Sequence, residues 1–75
     1  MVVIWSKDTC AYCDMAKRLL NQNGLAFEEK KIGHDYTKED LLKQIPNART
    51  VPQIIIDDKV IGGYNELKNY LSKGN

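Results

Sequence analysis

The apolar positions of this chain fall into short runs whose spacing switches repeatedly between two periods. Val2-Val3-Ile4-Trp5 is a continuous apolar run, rich in β-branched and aromatic residues. That is the pattern of a central strand buried on both faces. Ser6-Lys7-Asp8 follows as a polar loop. From Cys10 or Ala11 to Asn23 the period lengthens to that of a helix. Cys13, Ala16 and Leu20 share one face, Met15 and Leu19 widen it, and Lys17, Arg18 and Gln22 face water. Gly24 supplies a C-terminal stop. Leu25 to Ile32 reads as a second strand. Its Glu28-Glu29-Lys30-Lys31 stretch suits a sheet edge, where charges deter unwanted pairing. Two strands joined through a helix predict a right-handed parallel βαβ unit.

Gly33-His34-Asp35 is loop. Thr37 is the expected N-cap of a second helix, with Asp40 in the place of the acid of a capping box. Leu41, Leu42 and Ile45 form its apolar face, and Pro46 ends it by forcing the preceding residue out of helical geometry. Asn47-Ala48-Arg49 is a turn. Thr50-Val51-Pro52 then leads into a strand, Gln53-Ile54-Ile55-Ile56. A proline just before a strand can leave neighbouring backbone groups free for an outside partner. Asp57-Asp58 turns the chain, and Lys59-Val60-Ile61 returns antiparallel. Gly62-Gly63 permits close approach of another backbone. A last helix carries Tyr64, Leu67 and Leu71 on one face. Asn65 could cap it or present an anion site at its N-terminus. Ser72 to Asn75 is a polar, frayed tail. The predicted order is β-α-β-α-β-β-α in a single domain over residues 1–75, with no repeats or linkers.

Composition narrows the function classes. A chain of 75 residues buries only about 60% of its unfolded surface, so its core must be economical. Eleven basic and ten acidic residues leave a net charge of +1. That balance, without a Lys/Arg cluster, argues against nucleic acid as a partner. No apolar run approaches the roughly 20 residues of a membrane helix. The N-terminus reads directly as a strand, without a basic segment and cleavable apolar stretch. A small secreted domain would usually carry more than two cysteines. These features together place the expectation in a reducing cytoplasm.

The chemistry concentrates at Thr9-Cys10-Ala11-Tyr12-Cys13, which holds both cysteines. A Cys-x-x-Cys at a strand-to-helix junction puts the first sulfur at a helix N-terminus, where unpaired N–H groups and the helix dipole favour a thiolate. The second sulfur lies one turn later on roughly the same face. A structural disulfide would close a very short loop and gain little chain-entropy stabilisation. A zinc site needs about four ligands, and only His34 could join the cysteines as a usual ligand. A redox dithiol needs just one exposed and one shielded cysteine. Cys10 suits the open position and Cys13 the shielded one. Lys7, three residues before Cys10, could approach the sulfur and stabilise its thiolate, or could simply be a solvated loop lysine. Asp8 and Asp14 pull the other way. Tyr12 could cover the site or be half-exposed packing. His34 could be a ligand or a base, although a lone loop histidine is more often neither.

The element order with a dithiol after the first strand resembles the thioredoxin-like fold, a four-stranded mixed sheet flanked by three helices. Within it the chain is similar to the glutaredoxin family in three blocks. Lys7-Asp8-Thr9-Cys10-Ala11-Tyr12-Cys13 is similar to K-x-T-C-P-Y-C. Thr50-Val51-Pro52-Gln53 matches T-V-P-Q, and Ile61-Gly62-Gly63-Tyr64-Asn65 is close to I-G-G-Y/C-x. The resemblance implies that Cys10 is the attacking thiolate and Cys13 the resolving thiol. It implies a cis Pro52 opposite the disulfide. It implies glutathione as reducing co-substrate, with no resident metal. Val51 would then offer backbone hydrogen bonds to the cysteinyl part of glutathione. Lys7 would meet the glycine carboxylate, with help from Arg49 or Gln53. Gly63, Tyr64 and Asn65 would hold the γ-glutamyl end, and Tyr12 would flank the groove beside Thr50 and Pro52. Implied partners are glutathione and disulfide or glutathionylated client proteins such as ribonucleotide reductase, met by a monomer.

Two positions depart from the family pattern. Ala11 stands where proline is common and leaves the first helical turn freer. Asn65 stands where many relatives have Asp or Thr, and a neutral amide holds a substrate amine less strongly. Other functions remain open on these residues. One is a thioredoxin-like carrier recharged by a flavoprotein reductase, although the motif is not Trp-Cys-Gly-Pro-Cys. A second is an iron–sulfur protein sharing a cluster through Cys10 and glutathione. A third is an adaptor with an incidental disulfide.

Overall fold

A computed structural model describes residues 1–73. Its sheet has the order β2-β1-β3-β4, built from β1 (Val2–Lys7), β2 (Glu28–Ile32), β3 (Gln53–Ile56) and β4 (Lys59–Gly62). Helices α1 (Ala11–Gln22), α2 (Lys38–Gln44) and α3 (Tyr64–Lys73) complete it. β1 pairs with β2 in parallel and with β3 antiparallel, and β3 pairs antiparallel with β4. This is the thioredoxin-like fold that the sequence blocks imply.

β1 is central, and its alternation divides the core in two. Val2 and Ile4 pack with Ala16 and Leu20 of α1, Ile54 of β3 and Leu67 of α3. Val3 and Trp5 face the other way, toward Leu41 and Ile45 around α2. A strand covered on both faces has no solvent face to carry polar residues, which is why its sequence reads as continuously apolar. Tyr36 meets Trp5 edge to face, with ring centroids 5.3 Å apart. Lys30 lies over both rings.

The helix ends follow local chemistry. Gly24, at φ +70°, closes α1 as a left-handed residue. The Gly24 N–H donates to the Asn21 carbonyl and the Leu25 N–H to the Leu20 carbonyl, both at 3.0 Å, a Schellman pairing. The Thr37 N–H donates to Asp40 Oδ2 at 2.8 Å and the Asp40 N–H to Thr37 Oγ1 at 3.2 Å, a reciprocal capping box. Asp57 and Asp58 both have positive φ, as a two-residue hairpin turn requires.

Several local expectations are corrected. Ser6 and Lys7 belong to β1, because parallel pairing with Lys31 and Ile32 prolongs the ladder to Lys7. β2 begins only at Glu28, where its partner β1 comes alongside at Val3. Leu25 and Phe27 pack on the core from the preceding loop. Met15 is 39% exposed and does not extend the buried face of α1. Lys17 does not face open water, since its side chain is only 23% exposed beside Glu29. Ser72 and Lys73 continue α3, while Gly74 and Asn75 of the expected tail lie outside the described residues. Among the described residues no helix is long and apolar enough to cross a membrane.

Candidate functional site

The C-terminal end of β1 delivers the chain to the dithiol. Thr9 takes φ +54°, a left-handed value rare for a β-branched residue, and this turns the chain from strand into helix. Cys10 then has extended geometry and occupies the N-cap of α1. Its Sγ accepts the Cys13 N–H at 3.2 Å. A cap residue normally offers an oxygen to such an orphan donor; here a sulfur does so, and an anionic sulfur would do so more strongly. Cys10 and Cys13 are joined as a disulfide with Cα atoms 5.2 Å apart. Cys10 is half-buried at the rim, whereas Cys13 is 1% exposed. One sulfur is thus open to attack and the other shielded.

The Thr50–Pro52 segment lies across from the sulfurs. The Val51–Pro52 peptide bond is cis, and the Val51 carbonyl oxygen stands 3.8 Å from Cys10 Sγ. A reduced Cys10 thiol could donate to that oxygen; the disulfide sulfur has no hydrogen to give. Gln53, on β3 beside Trp5, donates its side-chain N–H to the Thr50 carbonyl at 2.9 Å. Its amide therefore braces the turn that carries Val51.

Two hollows meet at Thr50 and Val51. The larger, about 420 Å³, is lined by Tyr12, Pro52, Gly63, Tyr64, Asn65 and Glu66 as well as this pair. Tyr12 is 59% exposed, and its ring lies 6.1 Å from that of Tyr64, so two aromatics form one wall. The smaller, about 210 Å³, is lined by Lys7, Lys38 and Arg49 together with Ile32, Leu41 and Ala48. The fold thus gathers Tyr12, Pro52, Gly63, Tyr64 and Asn65 around the larger hollow and Lys7 and Arg49 around the smaller, with Thr50 and Val51 common to both. Lys7 makes no ion pair or hydrogen bond with Cys10 among the described residues. It lines the cationic hollow instead.

Sequence reasoning missed two lining residues. Lys38 is remote in the chain from both Lys7 and Thr50, and only the packing of α2 brings it there. Glu66 carried a usable signal: it lies three residues after Gly63, the spacing of a capping acid. Its Oε1 accepts the Gly63 N–H at 2.9 Å, while the Leu67 N–H donates to the Gly63 carbonyl. Gly63 is therefore the cap of α3, and Asn65 falls inside the first turn, exposed on the hollow.

The acids near Cys10 are each paired. Asp8 lies 2.7 Å from His34 Nε2 and 3.5 Å from Lys31 Nζ. Its carboxyl is held below the ordinary value first by the hydrogen bond to His34. Asp14 lies 3.6 Å from Lys17. Both carboxylates are thereby partly neutralised, which weakens their opposition to a nearby thiolate. His34 is an exposed partner of Asp8, and no group of three potential metal ligands comes together among the described residues.

Comparison with known proteins places this geometry. The family model described as Glutaredoxin matches residues 2–61. The chain is 43% identical over 67 residues to Glutaredoxin 3 of Escherichia coli K12, covering 88% of this chain and 80% of that protein. It is 39% identical over 71 residues to the hybrid peroxiredoxin hyPrx5 of Haemophilus influenzae, covering 95% of this chain but only 29% of that longer protein. In three dimensions it is similar to a buckwheat glutaredoxin solved as a glutathione complex. The TM-score is 0.84 at 30% identity, covering 97% of this chain and 69% of that one.

Proposed function

The chain belongs to the glutaredoxin family of thiol–disulfide oxidoreductases, which use glutathione as reductant, and on that premise we propose that it is a glutathione-dependent reductase of protein disulfides and glutathione mixed disulfides. The observation that carries the reading is the pairing of a half-exposed, helix-capping Cys10 with a buried Cys13, opposite Val51, which lines two unlike hollows. The buckwheat relative's glutathione complex supports the same partner here.

In the reduced protein the Cys10 thiolate attacks one sulfur of a client disulfide. The client S–S bond breaks, a Cys10–client disulfide forms, and the leaving sulfur departs as a thiolate that takes a proton from water. For a protein disulfide, Cys13 loses its proton and attacks the Cys10 sulfur. This releases the second client thiolate and leaves the Cys10–Cys13 disulfide. Two glutathione molecules then restore the dithiol and leave as oxidised glutathione. For a glutathionylated client, Cys10 takes the glutathionyl group, and a second glutathione thiolate removes it without Cys13.

Each part of glutathione has a counterpart in the groove. Val51 presents backbone groups beside the cysteinyl sulfur. Lys7 and Arg49, with Lys38 added by the fold, suit the glycine carboxylate. Gly63, Tyr64 and Asn65 suit the γ-glutamyl end, and Glu66 adds a carboxylate that could meet its ammonium. Tyr12 and Tyr64 wall that side. The protein acts as a monomer in a reducing cytoplasm on this reading.

The test is turnover of a small glutathione mixed disulfide, coupled through glutathione reductase to NADPH. Turnover that needs glutathione and disappears in Cys10→Ser is expected. Absence of turnover with a reactive Cys10, together with recharging by a thioredoxin reductase, would replace this reading with a flavoprotein-fed carrier.

A further inference from the structure

The two hollows that meet at Val51, opposite Cys10, differ in charge more than one glutathione molecule requires. Lys7 from β1, Lys38 from the start of α2 and Arg49 from the turn before β3 converge on the smaller hollow. No carboxylate lines it, and none of the three cations has an ion-pair partner among the described residues. Contrast Lys17 and Lys31, which are each paired with acids. Three unpaired cations around about 210 Å³ exceed what a single glycine carboxylate neutralises. The larger hollow carries no cation at all. Its walls are Tyr12 and Tyr64, and its one charge is Glu66. Thr50 and Val51 border both, with the Val51 carbonyl 3.8 Å from Cys10 Sγ.

An extended segment whose cysteine reaches Cys10 must therefore send its two arms into unlike surroundings. We propose that this groove selects protein clients by charge polarity, favouring a target cysteine followed by acidic residues and preceded by an aromatic or apolar one. The direction rests on the glutathione reading, in which the residue after cysteine, glycine, sends its carboxylate to the cations. Acidic side chains in that place meet Lys7, Lys38 and Arg49; basic ones are repelled. An exposed ion pair contributes about 0.2–1 kcal/mol, roughly 1.4- to 5-fold in rate or affinity. Two such pairs, with steering by the local field, give a preference of about tenfold at low salt.

The test uses the fully reduced protein in single turnover without glutathione. Its substrates are capped peptides whose central cysteine is a thiopyridyl mixed disulfide. Cys10 thiolate attacks the peptide sulfur, the Cys10–peptide disulfide forms, and thiopyridone leaves and is read by absorbance. Three peptides suffice: Ala-Tyr-Cys-Glu-Glu, Ala-Tyr-Cys-Gln-Gln and the reversed Glu-Glu-Cys-Tyr-Ala. The first should react about tenfold faster than the second. That advantage should collapse at about 1 M salt, where the Debye length is about 3 Å, and in the double variant Lys38→Gln/Arg49→Gln. The reversed peptide should gain nothing. Equal rates for all three peptides, or an advantage that survives the double variant, would overturn the proposal. Glutathione-coupled turnover is measured in parallel. Its loss with the peptide preference intact would sink only the glutathione reading, and its presence with equal peptide rates would sink only the charge selection.

Discussion

Replacing Glu29 by Gln tests how α1, and with it the dithiol, is fixed to the sheet. Glu29 Oε2 accepts a 2.5 Å hydrogen bond from the fully buried Ser6 hydroxyl and meets Lys17 Nζ at 2.9 Å. Lys17 lies one turn beyond Cys13 on α1, so this cluster ties the active helix to β1 and β2. The side chains of Lys17 and Glu29 are 23% and 27% exposed, which limits solvent screening. A hydrogen bond to a charged group contributes about 1.5–3 kcal/mol, and an amide keeps part of it. A half-buried ion pair adds somewhat more than the 0–1 kcal/mol of an exposed one. The expected cost of Glu29→Gln is about 2 kcal/mol near pH 7. For a domain of this size that lowers Tm by about 10 °C.

The pH dependence of this loss has a fixed sign. The Ser6 hydroxyl first, and Lys17 second, hold the Glu29 carboxyl below its ordinary value of 4.5. The charged form thus stabilises the fold at pH above 4.5. That contribution fades as pH falls through the lower folded-state value. Urea unfolding of both proteins across pH 7 to about pH 2 should show the two stabilities converging on acidification. Other carboxylates titrate in both proteins and cancel in the difference. A loss below about 0.5 kcal/mol at neutral pH, or a loss that stays constant into acid, would refute the reasoning.

Three further outcomes follow from the same geometry. Cys13→Ser should lose reduction of protein disulfides while keeping turnover of glutathione mixed disulfides, and loss of both would mean that the buried sulfur acts in the first step. Gly62→Ala should destabilise by about 1–3 kcal/mol in thermal unfolding, because φ is +120° and an added Cβ would sit 2.9 Å from Glu66 Cγ; an unchanged Tm would contradict the close approach. Thr37→Ala should cost about 1 kcal/mol through the capping box, and a neutral result in denaturant titration would argue that α2 is held by packing alone.

Local rules made most of the fold legible. The apolar run of β1, the Gly24 stop, the Thr37–Asp40 box and the Asp57-Asp58 turn each carry their signal within a few residues. The three sequence blocks around Cys10, Val51 and Gly63 carried the resemblance, and the fold brings them together. What escaped depends on distant partners. Ser6 and Lys7 look like loop until β2 pairs with them. Lys17 looks solvent-facing until Glu29 arrives from β2. Met15 fits a helical stripe that the sheet does not cover. Lys38 acquires its place only when α2 packs beside the Thr50 turn. Asn65 resembled a cap because the capping acid, Glu66, acts backward on a glycine that has no side chain to advertise the role.

The most direct test of the account is to incubate reduced Cys13→Ser with oxidised glutathione and map the product by peptide mass spectrometry. Without a resolving thiol, the Cys10 thiolate should displace one glutathione and retain the other as a mixed disulfide. The account predicts a single glutathionyl adduct, on Cys10, that added glutathione removes. A protein that takes up no glutathionyl group, yet whose Cys10 still opens a protein disulfide, would contradict it.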